Sequence, residues 1–221
     1  MLSATLWLFD IDGTLVDTGG AGMRSLQEAA IERFGDRGPA LDLAGSTDLG
    51  VLAGIFGHFG QACGPADADA FFASYLRRLE WNLAHGGFGG RVLPGVLELL
   101  DHLASQPGVS VGLLTGNIAG GAAAKMRHFG LDGHFGFGAY GCDHADRNVL
   151  GPVALQRAAR HVGRDFKPED ALVIGDTPKD IACARALGAP CLAVATGAFT
   201  VDALRDAGAD RVVASLSELF P

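Results

Sequence analysis

The sequence predicts an α/β fold: a doubly wound, mainly parallel Rossmann-like sheet carrying an inserted all-helical segment. Two observations carry this reading. Short apolar runs that stop abruptly at polar or glycine residues alternate with stretches of helical periodicity, the pattern of parallel strands buried on both faces and joined by crossover helices. One stretch, residues 18–89, breaks the alternation, with helical periodicity and no convincing strand.

The strands come first. Residues 4–9 (ATLWLF) stop at Asp10, and residues 109–114 (VSVGLL) stop at Thr115. Residues 171–174 (ALVI) stop at Gly175-Asp176, and residues 190–195 (PCLAVA) stop at Thr196-Gly197. A weaker fifth strand spans Arg211–Ala214. Between them, Val96, Leu97, Leu99, Leu100 and Leu103 suit a helix after Pro94, and Ala122, Met126 and Phe129 suit another closed by Gly130. Val153, Leu155, Ala158 and Val162 suit a third; Ile181, Ala184 and Leu187 suit a fourth, with Gly188 as its C-terminal stop.

Three helical faces lie in the insert. They are Met23, Leu26, Ala30 and Phe34; Leu49, Leu52, Phe56 and Phe59; and Phe71, Tyr75, Leu79 and Leu83. Glycines 50, 54, 57 and 60 weaken the second helix by about 1 kcal/mol each. Gly19-Gly20 stand at the entry to the insert, Gly86-Gly87 and Gly89-Gly90 at its exit. They read as ordinary loops or as a two-strand hinge for a cap that opens and closes. The expected division is an α/β core of residues 1–17 and 90–221 and a helical cap of residues 18–89.

Composition bounds the class. A chain of 221 residues accommodates one large domain or a domain with an insert. With 48% apolar residues it buries a sizeable core and is not disordered. Its 33 glycines follow no G-X-Y repeat, which excludes collagen. The net charge is −8 and no basic tract exists, which argues against a nucleic-acid partner. No apolar run approaches the roughly 20 residues of a membrane span. The first basic residue is Arg24, so the N-terminus does not read as a signal peptide. Cys63, Cys142, Cys183 and Cys191 lack CxxC or metal-finger spacing and read as reduced packing residues of a cytoplasmic protein.

Ligands of open α/β sheets bind beyond the carboxyl ends of the strands. Those ends read Asp10-Ile11-Asp12-Gly13-Thr14, Thr115-Gly116-Asn117 and Gly175-Asp176-Thr177-Pro178-Lys179-Asp180. If these strands are neighbours, four carboxylates and one hydroxyl meet at a single mouth. Two unit charges about 4 Å apart repel by on the order of 4 kcal/mol at an effective dielectric of 20. Such a cluster needs a cation or shared protons, and an all-oxygen set without His or Cys suits Mg²⁺. Each piece also has a local reading. Thr177, Pro178 and Asp180 make a good helix start. Asn117 suits a helix cap, and Asp10 and Asp12 suit a turn.

In this order the motifs resemble the haloacid dehalogenase-like superfamily, along essentially the whole chain. Asp10–Thr14 matches its DxDGT motif, Leu113–Asn117 its second and Gly175–Asp180 its GDxxxD motif; the helical stretch matches the cap of one subgroup, closest to phosphoglycolate phosphatase-like members. The resemblance implies a Mg²⁺-dependent phosphatase acting on a small phosphorylated metabolite. It makes Asp10 the nucleophile, forming an aspartyl-phosphate, and Asp12 the acid and base, with its backbone carbonyl on the metal. Asp176 becomes a direct metal ligand and Asp180 a residue reaching the metal or its waters. Gly13, Thr115, Gly116 and Asn117 would hold the phosphoryl oxygens.

One departure concerns the third motif, usually a lysine. Lys125 falls inside the helix after the second motif and is not assigned, and Lys167 reads as surface. Arg147 stands at the expected place, either neutralising the phosphoryl group or lying exposed in its loop. Gly45-Ser46-Thr47-Asp48 reads as a plain helix cap or as a substrate-facing loop, with Thr47 and Asp48 as the candidate specificity residues. Retention of Asp12 argues against the dehalogenase branch. A phosphosugar mutase and a non-catalytic phosphometabolite-binding protein are the alternatives.

Overall fold

The computed structural model describes residues 4–220. The chain opens with strand β1 (Leu6–Phe9), and a two-residue strand β2 (Val16–Asp17) then leads into three helices: α1 (Ala21–Phe34), α2 (Asp48–His58) and α3 (Pro65–His85). Strand β3 (Arg91–Val92) returns the chain and pairs antiparallel with β2, Val16 opposite Val92. From there strands and helices alternate: α4 (Val96–Ala104), β4 (Ser110–Leu114), α5 (Ala119–His128), β5 (Gly138–Ala139), α6 (Leu150–Val162) and β6 (Ala171–Gly175). The chain continues through α7 (Pro178–Leu187), β7 (Cys191–Val194), α8 (Val201–Asp206) and β8 (Arg211–Val213).

Six strands form one parallel sheet in the order β5-β4-β1-β6-β7-β8. This is the doubly wound arrangement expected from the alternation. The first strand is central, which explains its continuous apolar run. Leu6 and Leu8 are fully buried and pack with Leu150, Ala154, Val173 and Ile181 on one face. Trp7 and Phe9 pack with Leu99, Leu100, Met126 and Ile174 on the other. Period-two alternation therefore persists, with both sides apolar because helices cover both.

Two local expectations change and one strand of the parallel sheet goes unpredicted. Leu97 is 47% exposed and Val162 is 39% exposed, so the core-facing stripes of α4 and α6 are narrower than the apolar sequence suggests. The edge strand β5 escapes sequence reading because two residues carry no periodicity. The side chain of Asn117 does not cap α5, whose N-cap residue is Ile118.

The α1–α3 segment has its own core. Leu26, Ala30, Leu52, Phe56, Phe71 and Tyr75 pack together, and Ile118 and Ala124 of the sheet unit join them. Phe34 stacks on Phe59 at 4.3 Å between ring centroids. The helical segment therefore lies on the N-terminal part of α5, directly beside the ends of β1 and β4.

Candidate active site

Register builds the mouth. Phe9 is paired with Leu113 on one side and Ile174 on the other, so β1, β4 and β6 end side by side. Asp10 follows β1 and donates its backbone N–H to Ile174 O at 2.9 Å. The chain then turns tightly, with Leu15 N and Val16 N both donating to Ile11 O. Gly13 occupies the left-handed region at φ 80°, and a Cβ there would come within 2.3 Å of Asp176 Oδ2. Glycine is required on both counts. Its carbonyl accepts from Thr196 Oγ1 at 2.6 Å and its N–H serves the turn, donating to Val16 O.

Asp10, Asp176 and Asp180 each bring a carboxylate oxygen within 4.8 Å of the others. All three are nearly sealed from solvent, 4%, 4% and 0% exposed. Burial disfavours the charge on Asp10 and Asp176, and proximity of the carboxylates compounds it. Asp176 is pushed up to about 8 by burial, then by Asp10 and Asp180. Burial also raises Asp10 to about 6, against the pull of Arg147. Thr14 Oγ1 donates to Asp176 Oδ1 at 3.3 Å. The donor set is all oxygen, and its charges are undercompensated by protein groups, which fits a hard divalent cation.

Arg147 is not a surface arginine. It lies in a short helical turn, Arg147–Val149, held by Asp146 Oδ1 accepting from Asn148 N at 2.9 Å, and only 6% of it is exposed. Its Nη2 lies 3.2 Å from Asp10 Oδ1, donates to Leu114 O at 3.1 Å and bonds Asp180 Oδ1. Its Nη1 donates to Gly45 O at 3.2 Å. Burial alone would weaken its basicity, but Asp180 and Asp10 together hold it above its ordinary value. Its Nε is buried without a hydrogen-bond partner.

Asp180 does two things at once. Its Oδ2 accepts from Thr177 N at 3.0 Å and from Thr177 Oγ1 at 2.6 Å, closing the capping box of α7. Its other oxygen holds Arg147. The local capping reading and membership of the carboxylate cluster thus belong to one side chain.

Asp12 is the least enclosed of the four carboxylates, its side chain 43% exposed. It accepts from Asn117 Nδ2 at 2.8 Å and from Lys125 Nζ at 2.8 and 2.6 Å on its two oxygens. Lys125 also donates to Asn117 Oδ1 at 2.6 Å and is itself 3% exposed. Sequence reasoning left this lysine aside. The available signal was its spacing: Ile118, Ala122 and Lys125 stand at i, i+4 and i+7, which sets a lysine on the buried face of a helix that starts at the mouth.

Thr115 is fully buried, and its Oγ1 accepts from Asn117 N at 3.2 Å and Asn117 Nδ2 at 2.9 Å. Gly116 is pressed against the helical segment: a Cβ there would come within 1.9 Å of Ser46 O. Its carbonyl accepts from Asp48 N at 2.7 Å, and Asp48 Oδ2 accepts from Ile118 N at 2.8 Å. Thr47 caps α2 through Gly50 N at 3.1 Å and donates to Ala145 O at 2.5 Å. Burial raises the Asp48 carboxyl to about 6. The 45–48 loop therefore sits directly over the strand ends.

A cavity of about 290 Å³ lies between the two surfaces. Asp10, Asp12, Asp176, Lys125 and Arg147 line its sheet side; Met23, Leu26, Val51, Tyr75 and Asp48 line its helical side. Thr47 and Thr115 lie behind this lining rather than in it.

The fold and this mouth define an α/β protein with a carboxylate-and-cation centre closed over by helices. The sequence model for haloacid dehalogenase-like hydrolases matches residues 5–188, and the chain belongs to that family. It is 30% identical to a phosphoglycolate phosphatase of Rhodospirillum rubrum over 206 residues, 86% of this chain and 79% of that protein. It is also 30% identical to a 5'-nucleotidase of Pseudomonas aeruginosa over 203 residues, 90% of this chain and 86% of that one. The crystal structure of CbbY from Rhodobacter sphaeroides superposes with a TM-score of 0.76 at 22% identity, covering 98% of this chain and 96% of that one, a likeness of fold.

Proposed function

We propose that this phosphoric monoester hydrolase is a Mg²⁺-dependent phosphatase that cleaves a small phosphomonoester through an aspartyl-phosphate on Asp10. The observation that carries the reading is the convergence on Asp10: Asp176 and Asp180 oxygens within 4.8 Å and the Arg147 guanidinium at 3.2 Å. Asp10 and Asp176 would hold the metal through their carboxylates and Asp12 through its backbone carbonyl, with Asp180 reaching the metal or its waters. When bound, Mg²⁺ neutralises the phosphoryl oxygens as charge shifts during transfer.

The chain's own groups do the rest. An Asp10 oxygen attacks phosphorus and the ester bond to the leaving oxygen breaks. Asp12 gives that oxygen a proton, then takes one from the water that attacks phosphorus and frees phosphate, restoring Asp10. Lys125 and Asn117 fix the carboxylate of Asp12 for both steps. Arg147 faces the transferring group, and its unpartnered Nε supports this role, as a buried donor without an acceptor is costly. The Gly116-Asn117 turn and the Gly13 loop frame the phosphoryl oxygens, and the Thr115 hydroxyl predicted for that role stands behind them, holding Asn117.

The α1–α3 segment acts as a cap, with residues 18–89 moving on the β2–β3 connection against the core of residues 1–17 and 90–221. A cavity of about 290 Å³ between the helical segment and the strand ends suits a small metabolite better than a protein or nucleic-acid substrate. No described helix is long and apolar enough to cross a membrane, and all four cysteines are unpaired, which supports a cytoplasmic setting. The test is phosphate release from a panel of phosphomonoesters with Mg²⁺, beside Asp10→Asn. Release by the native chain and none by the variant is expected. Phosphate transferred to a sugar acceptor instead of released would make the chain a mutase.

A further inference from the structure

Phosphate esters differ in what remains after phosphate leaves. The leaving group of phosphoglycolate keeps a carboxylate; that of a phosphorylated polyol, sugar or nucleoside is neutral and rich in hydroxyls. The charges lining the cavity bear on which of these two chemistries it accepts. Its sheet end holds two cations, Arg147 and Lys125. Arg147 is engaged by Asp10 and Asp180. The three hydrogen bonds that Lys125 donates go to Asp12 and Asn117.

The helical end holds no cation among its lining residues. Its one charged group is acidic: Asp48, 8% exposed and without an ion-pair partner among the described residues. Asp48 is fixed there. Its backbone N–H binds Gly116 O and its Oδ2 accepts from Ile118 N, so it cannot swing away without releasing the start of α5. That bond is the only one its side chain makes among the described residues, which leaves Oδ1 available to a donor in the cavity. Around it, Met23, Leu26 and Val51 supply apolar walls. Arg24, the nearest basic residue in the sequence of α1, is not in the lining; it pairs with Glu28 at 2.7 Å.

We infer that Asp48 makes this enzyme selective for phosphomonoesters whose leaving group is neutral and hydroxylated, and selects against those whose leaving group carries a second anion. An anion placed beside a buried carboxylate meets like-charge repulsion that water screens poorly, whereas a hydroxyl finds an acceptor. This departs from the substrate named for the phosphoglycolate phosphatases the chain resembles, and it rests on the phosphatase reading above.

The experiment compares kcat/KM for glycerol 3-phosphate, 2-phosphoglycolate and p-nitrophenyl phosphate in the full chain with Mg²⁺, for the native protein and Asp48→Asn. Asparagine keeps an acceptor for Ile118 N, so the fold is retained, which circular dichroism checks. Native protein is expected to favour glycerol 3-phosphate over 2-phosphoglycolate by about tenfold or more. Asp48→Asn is expected to narrow that ratio by raising turnover of 2-phosphoglycolate, with p-nitrophenyl phosphate changed less than the other two. A native preference for 2-phosphoglycolate, or a ratio unmoved by Asp48→Asn, overturns the inference and leaves the phosphatase reading intact. Release from none of the three esters overturns the phosphatase reading itself, and the inference with it.

Discussion

Lys125 Nζ lies 2.8 and 2.6 Å from the two oxygens of Asp12, spanning 113 residues of sequence to do so. A lysine 3% exposed and a carboxylate 43% exposed form a pair that is half sealed, held further by Asn117 on both partners. The pair fixes the most exposed of the four carboxylates at the mouth. Replacing Lys125 with Met keeps the apolar stem and removes the clamp. Steady-state kinetics of Lys125→Met should show kcat reduced on the order of a hundredfold, the range of a misplaced proton-transfer group. A KM change with kcat unaltered would place Lys125 in ground-state substrate binding instead.

Asp10→Asn removes the nucleophile but keeps a side chain of the same shape beside Arg147. Activity should fall on the order of a thousandfold or more, because the group belongs to a unit that acts together. Thermal stability should hold or rise, since burial and neighbouring carboxylates already oppose the Asp10 charge. Near-native turnover would end the aspartyl-phosphate mechanism.

Arg147→Ala should lose both activity and stability. The substitution strands Asp10 and Asp180 as buried charges and frees the carbonyls of Leu114 and Gly45. Breaking a buried pair in this way costs about 3–5 kcal/mol, which is on the order of 10 °C in Tm for a chain of this size. Adding Asp180→Asn should recover part of the Tm and none of the activity. Calorimetry showing no loss in the single variant would return Arg147 to a minor role.

Chelation by EDTA should abolish phosphate release, and Mg²⁺ should restore it. The same ion should raise Tm, because a ligand bound only by the folded state adds about 2.7 kcal/mol at a hundred times its Kd. Asp176→Asn should lose that Mg²⁺-dependent shift while being at least as stable as the native chain without metal, since the Asp176 charge is opposed by burial and by Asp10.

Asp48 gives a pH signature. Its carboxyl sits at about 6 in the fold, raised from 3.8 chiefly by burial and lowered in part by Ile118 N–H and Lys125, with Asp12 adding to the rise. Between these two values the folded state holds the proton more tightly than the unfolded chain. Stability from this group is therefore complete below about pH 4, declines as pH rises to about 6 and is level above that. The span is about 3 kcal/mol. Denaturation of native protein and Asp48→Asn at pH 4 and pH 8 should show the variant gaining on the native chain at the higher pH. Parallel stability curves would deny the buried charge.

Much of the molecule is legible from sequence because its signals are local. The central strand is read from Leu6–Phe9 alone, since apolar residues on both sides require cover on both faces. Thr177, Pro178 and Asp180 announce the start of α7, and Gly188 its end. The order of motifs at strand ends names Asp10, Asp12, Asp176 and Asp180 as one mouth, provided the strands are neighbours. That proviso is a question of pairing, and pairing is non-local: β1 lies between β4 and β6 only because each register buries the faces of all three.

By itself the sequence determined the α/β alternation, the helical segment after the first motif and the carboxylates that must share a cation. Only the tertiary structure decided which cations answer them. From sequence Arg147 reads either as the cation of the third motif or as an exposed loop residue, and Lys125 as one more lysine on a helix. Each becomes a buried partner because packing of the helical segment on α5, and of the 147–149 turn against α7, seals it beside a carboxylate distant in the chain. The same closure sets Asp48 over the cavity. Spacing along one helix reveals a face, but only the fold reveals what charge that face meets, because electrostatic energy depends on distance and burial and not on sequence separation.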